Sequence, residues 1–414
     1  MARAPDCVLV IGAGIVGLGV AHALSRSGRT VVVADANAPG SGASAGNAGA
    51  ISSGSVAPLA LPGVLKSARK MLLDPESPLH VPLAYLPQAS PWLWRFVRAA
   101  GIERVNGIAA ALAGLLRGSL AAHQRIAAEV GCAERIVAGG QLHCYPDQAA
   151  LARDAFSWAL KRAHGQKTEE VAGAAIRDLE PAVAARYTRA LFLPDEAWVD
   201  GPQEYARAIA AALAARGARF VGAGVDALAR RGDDWEARTA AGTLTARQVV
   251  LAAGAWSGRL LAPLGIRVPL ETQRGYHVEL GAPGIRLRRQ VVLADRKVFV
   301  TPMGAALRAA GTVEFGGLER PMTEARARLI GRHLRAGLDG LAAGEERLWM
   351  GHRPCMPDSM PVIGPASGAP GLFCAFGHGH LGLTGAARTG ELLARLLGGG
   401  DAPELAPFSI ARFA

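Results

Sequence analysis

Two apolar runs separated by a helical pattern open the chain. The first run, Val8–Ile11, has the length and β-branched content of a strand buried on both faces. A helical pattern follows over Leu18–Ser27 and ends at Gly28. The second run, Thr30–Ala34, ends at Asp35. The pattern therefore predicts a strand, a tight turn, a helix, a second strand and a terminal acid.

The turn between the first strand and the helix carries three glycines. Gly12 suits a tight turn, Gly14 allows the backbone to approach a pyrophosphate, and Gly17 allows the helix to pack closely on the strand. The N–H groups and partial positive charge of the helix N-terminus favour phosphate binding. Asp35 has the spacing from Gly12 at which an acid meets a ribose hydroxyl. We therefore predict a dinucleotide site.

The later segments divide into those that repeat this α/β pattern and those that do not. Residues 55–105 are rich in proline and aromatic residues and predict irregular structure with short helices. Helices are predicted at 107–130, 146–164, 202–216, 323–341 and 383–397, and strands at 139–145, 219–225, 275–280, 290–294, 297–301 and in the apolar run that begins at Gln248.

Composition narrows the class of protein. The net charge of +11 comes mostly from arginines that form no dense basic runs, which is typical of a solvated surface. A positive charge of this size would also suit binding of an anionic cofactor, an acidic membrane surface or nucleic acid. Five cysteines without a CxxC pair argue against a zinc site or disulfides, and we predict no metal.

A secretory signal is disfavoured because Asp6 and several glycines interrupt the first apolar stretch. No other apolar run approaches 20 residues, so we expect a cytoplasmic protein.

Several stretches occur together in one family. They are the N-terminal glycine motif and the runs 42–49, 252–257, 351–364 and 377–384. Together these stretches resemble the FAD-dependent D-amino acid dehydrogenases, within the wider group of D-amino acid oxidases, glycine oxidases and sarcosine oxidases. The resemblance covers nearly the whole chain, and the run 377–384 is similar to members that act on D-hydroxyproline.

The resemblance implies a D-amino acid oxidase-like fold of mixed class, α/β with α+β. A discontinuous, Rossmann-like FAD-binding domain would comprise residues 1–53, 200–258 and 350–414, and a mixed-sheet substrate-binding domain residues 54–199 and 259–349. The cofactor implied is FAD, bound non-covalently. The implied FAD contacts are Gly12, Gly14, Ile15, Val16, Gly17, Asp35, Ala36, Ser44, Asn47, Ala48, Val225, Ala253, Gly254, Trp256, Gly379, His380, Leu381, Gly382, Leu383 and Thr384.

The resemblance also implies a substrate site. Arg353 matches the arginine that pairs with the substrate carboxylate, and a planar guanidinium suits two-point binding of that group. Tyr276 occupies a position where some relatives contact the substrate, and His380 departs from the small hydroxyl residue of the broad-range dehydrogenases. For His378 and His380, a structural role remains an alternative to substrate contact. Cys355 is the nearest cysteine for covalent flavin attachment, which we do not expect.

We expect oxidation of a D-amino or cyclic imino acid, such as cis-4-hydroxy-D-proline or D-proline, by hydride transfer from Cα to flavin N5. Electrons would pass to a quinone or electron carrier. An oxygen-using oxidase of sarcosine or glycine is the main alternative. Others are an FAD-holding subunit of an electron-transfer complex, or a tRNA-modifying flavoprotein, although no nucleic-acid partner is expected. Peripheral contact with the inner face of the cell membrane, or a hetero-oligomer, stays open.

Overall fold

The computed structural model describes residues 7–64 and 76–413. Over these residues the strands are β1 Cys7–Ile11, β2 Thr30–Ala34, β3 Ala50–Ile51, β4 Leu79–His80, β5 Ile136–Val137, β6 Gln141–Tyr145, β7 Glu169–Ala172, β8 Arg189–Leu193, β9 Ala197–Val199, β10 Arg219–Val221, β11 Val225–Arg231, β12 Asp234–Thr239, β13 Gly242–Ala246, β14 Gln248–Leu251, β15 Glu271–Gly281, β16 Gln290–Leu293, β17 Val298–Met303, β18 Ala306–Phe315, β19 Glu346–Cys355, β20 Val362–Pro365 and β21 Leu372–Phe376. The α-helices are α1 Ile15–Arg26, α2 Leu86–Ala99, α3 Ile102–Leu116, α4 Ser119–Glu129, α5 Gln148–Arg153, α6 Ala155–Ala163, α7 Ala175–Leu179, α8 Pro202–Ala215, α9 Ser257–Leu261, α10 Glu324–Gly337 and α11 Gly382–Leu397.

A six-stranded sheet forms the α/β layer, with the order β10-β2-β1-β14-β21-β20. All neighbouring strands are parallel except β20, which runs antiparallel to β21. Buried parallel strands need apolar side chains on both faces, which explains the apolar runs in β1, β2 and β14. Helices including α1, α8 and α11 cover one face, and the sheet β11-β12-β13 covers the other. The predicted α/β class is confirmed.

A nine-stranded sheet forms the second layer. Its order is β19-β15-β18-β17-β16-β6-β8-β7, and β4 pairs with β18. The pairings are antiparallel except those of β16 with β6 and of β18 with β4, as expected for a mixed sheet. Its strands come from two separated stretches, 79–193 and 271–355. The predicted domain boundary at residue 350 falls inside β19, and the proposed domain bounds stay predictions.

Close contact between α1 and α11 packs a helix from the first part of the chain against a helix from its last part. A Cβ atom at Gly390 would lie 2.3 Å from the carbonyl oxygen of Gly19, and one at Gly19 would lie 2.7 Å from that of Ala386. Only glycine therefore allows the two helix backbones to approach to this distance. The packing sets the relative position of the two helix N-termini.

Two of the predicted helices are each divided into two shorter helices in the structure. The prediction over 107–130 is wrong because Gly118, with φ of +74°, ends α3 and starts α4. The prediction over 146–164 is interrupted at Asp154, between α5 and α6. The side chain of Asp147 caps α5 by accepting a 2.7 Å hydrogen bond from Ala150 N.

The proline-rich segment contains more regular structure than predicted. α2 spans fourteen residues despite Pro91 in its interior. Pro91 cannot donate to the carbonyl of Pro87, but the Ser90 hydroxyl donates to that carbonyl at 2.9 Å. Part of this segment, residues 65–75, lies outside the described residues. Strand β18 was not predicted at all.

Contrary to the expectation that no other apolar run approaches 20 residues, the stretch Ile102–Glu129 is long and apolar enough to cross a membrane by length and composition alone. Half of its most apolar window is buried inside the fold, and Leu112, Leu116 and Ile126 belong to the core beneath the six-stranded sheet. A core helix passes the same test, so this stretch is weak evidence for a span.

We expect Gly390→Ala to destabilise the protein by roughly 1–3 kcal/mol, because the added methyl group forces α1 and α11 apart. The matched control is Gly114→Ala in α3, where a Cβ would meet no atom within 4 Å. That change should stabilise by about 0.5–1 kcal/mol. Urea unfolding of both variants measures the difference. Equal stability of the two variants would contradict the close-packing explanation.

Candidate active site

A cavity of about 1280 Å³ lies between the two large sheets. The predicted site residues that line it are Gly12, Gly14, Ile15, Val16, Asp35, Ala36, Ser44, Asn47, Ala48, Val225, Ala253, Gly254, Trp256, Arg353, Gly379, His380, Leu381, Gly382, Leu383 and Thr384. Gly17 and Tyr276 are the two that do not. The structure thus gathers residues from distant parts of the sequence around one space.

The N-terminus of α1 faces this cavity. Gly12 has φ of +110°, and a Cβ there would lie 2.4 Å from the carbonyl oxygen of Ala252 on the neighbouring β14 connection. A Cβ at Gly17 would lie 2.0 Å from the carbonyl oxygen of Gly12, so Gly17 serves packing rather than ligand contact. The hydroxyl of Ser44 accepts a 2.9 Å hydrogen bond from Ile15 N. No acidic residue occupies the first turn, which leaves this helix end available to an anion.

Asp35 closes the same end of the cavity. Its carboxylate accepts hydrogen bonds from Ala13 N at 2.7 Å and from Asn37 N at 2.9 Å. These bonds fix the carboxylate beside the glycine turn, and each oxygen keeps a lone pair for a hydroxyl donor. Val225, at the start of β11, lines the cavity near this end, with Gly224 next to Ala36.

The loop 42–49 is held against the second sheet through its carbonyl groups. The guanidinium of Arg308 donates to Ala45 O at 2.7 Å and to Asn47 O at 2.8 Å, while it pairs with Glu279 at 2.9 Å. The hydroxyl of Thr301 donates to Ala48 O at 2.7 Å. A loop rich in small residues is therefore fixed in position, which its composition did not reveal.

A second helix N-terminus, that of α11, also faces the cavity. Thr384 ties it to the loop after β3, because its hydroxyl accepts from Ser52 N at 3.2 Å and donates to Ala50 O at 3.3 Å. The first turn of α11 also lacks an acidic residue. His378 is buried and its Nε2 bonds the Thr389 hydroxyl at 3.0 Å. This contact supports the structural alternative for His378, which also lines the cavity.

Arg353 lies in a slot in the second sheet. A Cβ at Gly275 on the adjacent strand would lie 2.0 Å from the Arg353 Cζ atom, so the guanidinium occupies space that only glycine leaves open. Its Nη1 donates to the Thr312 carbonyl at 3.1 Å. Among residues 7–64 and 76–413, Arg353 makes no ion pair. Burial lowers the pKa of Arg353 from its ordinary value, and the group remains a cation without a counter-charge.

Two polar residues that sequence reasoning missed flank Arg353. Gln273 is directly opposite Arg353 in the β15–β19 register, and its buried Oε1 has no hydrogen-bond partner in the described part of the chain. Thr312 is the extra residue of a bulge in β18, has φ of +52°, and has an unpartnered buried hydroxyl. A β-branched residue in this conformation is strained, and such strain is concentrated at functional sites.

His380 lines the cavity and is exposed to it. Desolvation by the surrounding protein, and secondarily the charge of Arg353, lowers the pKa of His380 to about 3. The imidazole is therefore neutral at physiological pH. It can donate or accept a hydrogen bond, and it does not compete with Arg353 for an anion.

Tyr276 lies on the opposite face of the sheet from Arg353. It is fully buried, and its hydroxyl donates to Glu314, which also pairs with Arg274 at 3.0 Å. Successive strand residues point to opposite faces, so Gln273 and Gly275 face the cavity while Arg274 and Tyr276 do not. The position of Tyr276 does not support the predicted substrate contact.

The sequence matches the DAO family, described as FAD dependent oxidoreductase, over residues 7–396. The chain is 39% identical to a D-amino-acid oxidase of Bradyrhizobium diazoefficiens, with 98% of each protein covered. It is 32% identical to a D-amino acid dehydrogenase of Xanthobacter autotrophicus, covering 98% of this chain and 99% of that protein.

Solved structures share the fold. Glycine oxidase from Geobacillus kaustophilus aligns with a TM-score of 0.75 at 22% identity and covers 98% of both chains. Iminodiacetate oxidase from Chelativorans sp. aligns with a TM-score of 0.74 at 23% identity, over 97% of this chain and 98% of that one. At these identities the likeness establishes the architecture, and it confirms the predicted oxidase-like fold.

We expect Gly275→Ala to displace the Arg353 guanidinium and to weaken binding of a simple carboxylate such as benzoate by roughly tenfold or more. Calorimetric titration of the purified protein measures the affinity. Gly281→Ala on the same strand is the matched control, because its Cβ would come no closer than 3.8 Å to another residue. Unchanged benzoate affinity in Gly275→Ala would contradict the assignment of the slot.

Proposed function

The chain belongs to the DAO family of FAD-dependent oxidoreductases, of the D-amino acid oxidase and dehydrogenase type, and we propose that it oxidises D-amino acids or cyclic imino acids at the Arg353 side of its cavity. The observation that carries the proposal is an unpaired guanidinium facing the same space as two helix N-termini. One binds a substrate carboxylate, and the others bind the anionic parts of a cofactor.

The donors around the cavity fit FAD. The N-terminus of α1 would bind the pyrophosphate, Asp35 the adenosine ribose, and the N-terminus of α11 the pyrimidine edge of the flavin. Neither helix carries an acid in its first turn that would repel those groups. The binding is proposed to be non-covalent. Burial raises the pKa of the Cys355 thiol to about 12, which keeps this cavity-lining cysteine in its unreactive protonated form.

The substrate would lie between Arg353 and the flavin. A carboxylate held on both Nη atoms restricts rotation and directs Cα–H toward the centre of the cavity. When bound, the flavin supplies the hydride acceptor of the reaction. The unpartnered Oε1 of Gln273, in the row beside Arg353, would accept a hydrogen bond from the substrate nitrogen. The nitrogen lone pair assists the loss of hydride, so this chemistry requires orientation more than a protein base.

The two curated relatives support the D-configuration, because both are named for D-amino acids. D-proline and cis-4-hydroxy-D-proline are also proposed substrates, because they carry the same α-carboxylate as other D-amino acids. Their amine is secondary instead of primary. A primary amine would give an imine that hydrolyses to a 2-oxo acid and ammonia. A ring substrate would give a cyclic pyrroline carboxylate.

We further propose that the electrons pass to a quinone at the inner face of the cell membrane and that the protein is otherwise cytoplasmic. Leu59 and Leu86 line the cavity and are 48% and 39% exposed, and nearby Leu83 is 86% exposed. Exposed apolar side chains beside a cavity suit a bilayer surface. The net charge of +11 would favour anionic lipids over neutral ones.

Arg353→Leu should raise the KM for a D-amino acid by roughly 10²–10³-fold, because it removes a charge-assisted pair of hydrogen bonds. The flavin absorbance of the purified variant should match that of the wild type. Arg347→Leu is the control, since Arg347 lies on the same strand but is exposed and pairs with Glu345 at 3.2 Å. Unaltered kinetics in Arg353→Leu would refute the carboxylate assignment.

Anaerobic mixing with single substrates tests the reaction itself. D-amino acids or D-proline should bleach the flavin absorbance, and the L-enantiomers should not. Bleaching by glycine or sarcosine alone would instead favour the oxidase alternative. Reoxidation by a quinone analogue much faster than by air would support the dehydrogenase assignment, and the reverse order would overturn it.

Leu83→Asp should reduce co-sedimentation with anionic lipid vesicles severalfold while leaving activity with a water-soluble electron acceptor unchanged. Phe156→Asp is the control, because Phe156 is 39% exposed on α6 and does not line the cavity. Equal loss of binding in both variants, or no binding by the wild type, would contradict a specific contact at the cavity mouth.

A further inference from the structure

Four consecutive carbonyl groups of the loop 42–49 accept hydrogen bonds from side chains of the nine-stranded sheet. The acceptors are the carbonyl oxygens of Ala45, Gly46, Asn47 and Ala48. Arg308 donates from one Nη1 atom to the first and third of them, at 2.7 and 2.8 Å. His277 Nδ1 donates to the second at 3.1 Å, and the Thr301 hydroxyl donates to the fourth at 2.7 Å. The sheet therefore holds one whole side of this backbone segment.

The amide N–H groups of the same segment point away from the sheet, because the C=O and the following N–H of a trans peptide bond point in opposite directions. Two of them have partners inside the loop. Asn47 N donates to Ser44 O at 3.4 Å, and Gly49 N donates to Asn47 Oδ1 at 2.7 Å. The N–H groups of Gly46 and Ala48 have no hydrogen-bond partner within residues 7–64 and 76–413, and both residues line the cavity. Two backbone donors are thus left open at the cavity.

These two open donors belong to the two peptide units that Arg308 holds. The carbonyl of Ala45 shares its peptide unit with the N–H of Gly46, and the carbonyl of Asn47 shares its unit with the N–H of Ala48. A cation that donates to the oxygen of a peptide unit polarises it, and the N–H at its other end becomes a stronger donor.

Arg308 itself is kept out of the cavity. Its side chain is 12% exposed and is absent from the cavity lining, and its Nε and Nη2 atoms donate to Glu279 on the adjacent strand β15 at 3.2 and 2.9 Å. The guanidinium therefore reaches the cavity only through the two peptide units.

The segment 45–48 lies between the two helix ends that face the cavity. Before it, Ser44 accepts a hydrogen bond from Ile15 N at the start of α1. After it, the Ala50 carbonyl accepts one from Thr384 in the first turn of α11. Under the proposed function α1 binds the pyrophosphate and α11 the pyrimidine edge of the flavin. The open donors are then on the flavin side of the pyrophosphate.

We propose that Arg308 is a positioning residue for the flavin half of FAD, and that it acts by aiming and strengthening the N–H donors of Gly46 and Ala48. This inference rests on the proposed function, because it takes FAD as the ligand of the cavity. The ribityl chain and the flavin ring both carry hydrogen-bond acceptors. ADP ends at the pyrophosphate, so its binding does not use these donors.

Titration of the full-length protein, freed of FAD, with FAD and with ADP tests this role by calorimetry. Arg308→Gln should weaken FAD binding by roughly tenfold or more, while ADP binding changes by less than about threefold. Unchanged FAD affinity, or an equal loss for both ligands, would overturn the assignment of Arg308. A wild-type chain that takes up no FAD would refute the proposed function itself.

Two control variants separate this role from a purely structural one. Glu279→Gln removes the ion pair of Arg308 but leaves its bonds to the loop. Thr301→Val removes a bond to the Ala48 carbonyl, whose peptide unit ends in the already bonded N–H of Gly49. Each should weaken FAD binding by about threefold at most. A loss as large as that of Arg308→Gln in either control would show that the loop is merely held in place, and would contradict the proposal.

Arg308→Lys keeps the positive charge and provides the test if the glutamine variant does not fold. A lysine lacks the planar fork that holds Glu279 and the two loop carbonyls together. We expect it to weaken FAD binding by roughly two- to fivefold and to leave ADP binding unchanged. An ADP affinity that falls as much as the FAD affinity in this variant would count against the proposal.

Discussion

The site depends on a guanidinium, that of Arg353, which pairs with no carboxylate in the described part of the chain. Arg353 occupies a slot opened by Gly275 and is held through the carbonyl of Thr312. A desolvated cation without a partner is costly for the folded protein, and a bound carboxylate would remove that cost. The contrast with Arg274 is direct, because that neighbouring arginine faces the other side of the sheet and pairs with Glu314 inside the protein. One face of the sheet thus carries a structural ion pair, and the other face carries an open anion site.

The two sheets meet so that this cation faces two helix N-termini. Close packing of Gly19 against α11 sets the relative position of α1 and α11. Arg308 fixes the loop 42–49, which lies between the sheets. Ser44 and Thr384 then link that loop and the β3 connection to the helix ends. Residues of both sheets line the cavity, so under the proposed function neither half of the fold would form the site alone.

The sequence predicted the α/β layer well, since buried parallel strands and a glycine turn leave local signals, as at Val8–Ile11 and Gly12. The family motif also directed attention to Arg353, which lines the cavity, while its carboxylate-binding role stays a prediction. Tyr276 shows the limit of motif matching: strand alternation directs it away from the face that Gly275 opens. The bulge at Thr312 and the orphan amide of Gln273 depend on the register between distant strands, so no local pattern reveals them. The break at Gly118 depends on a left-handed backbone conformation that glycine permits but does not require.

The most direct test of the central claim is a crystal structure of the holoenzyme with a carboxylate ligand such as benzoate. We predict that both carboxylate oxygens lie within about 3 Å of the Arg353 guanidinium nitrogens, with the rest of the ligand inside the cavity beside the flavin. A carboxylate bound elsewhere in the cavity, with Arg353 paired to a protein acid, would contradict the account.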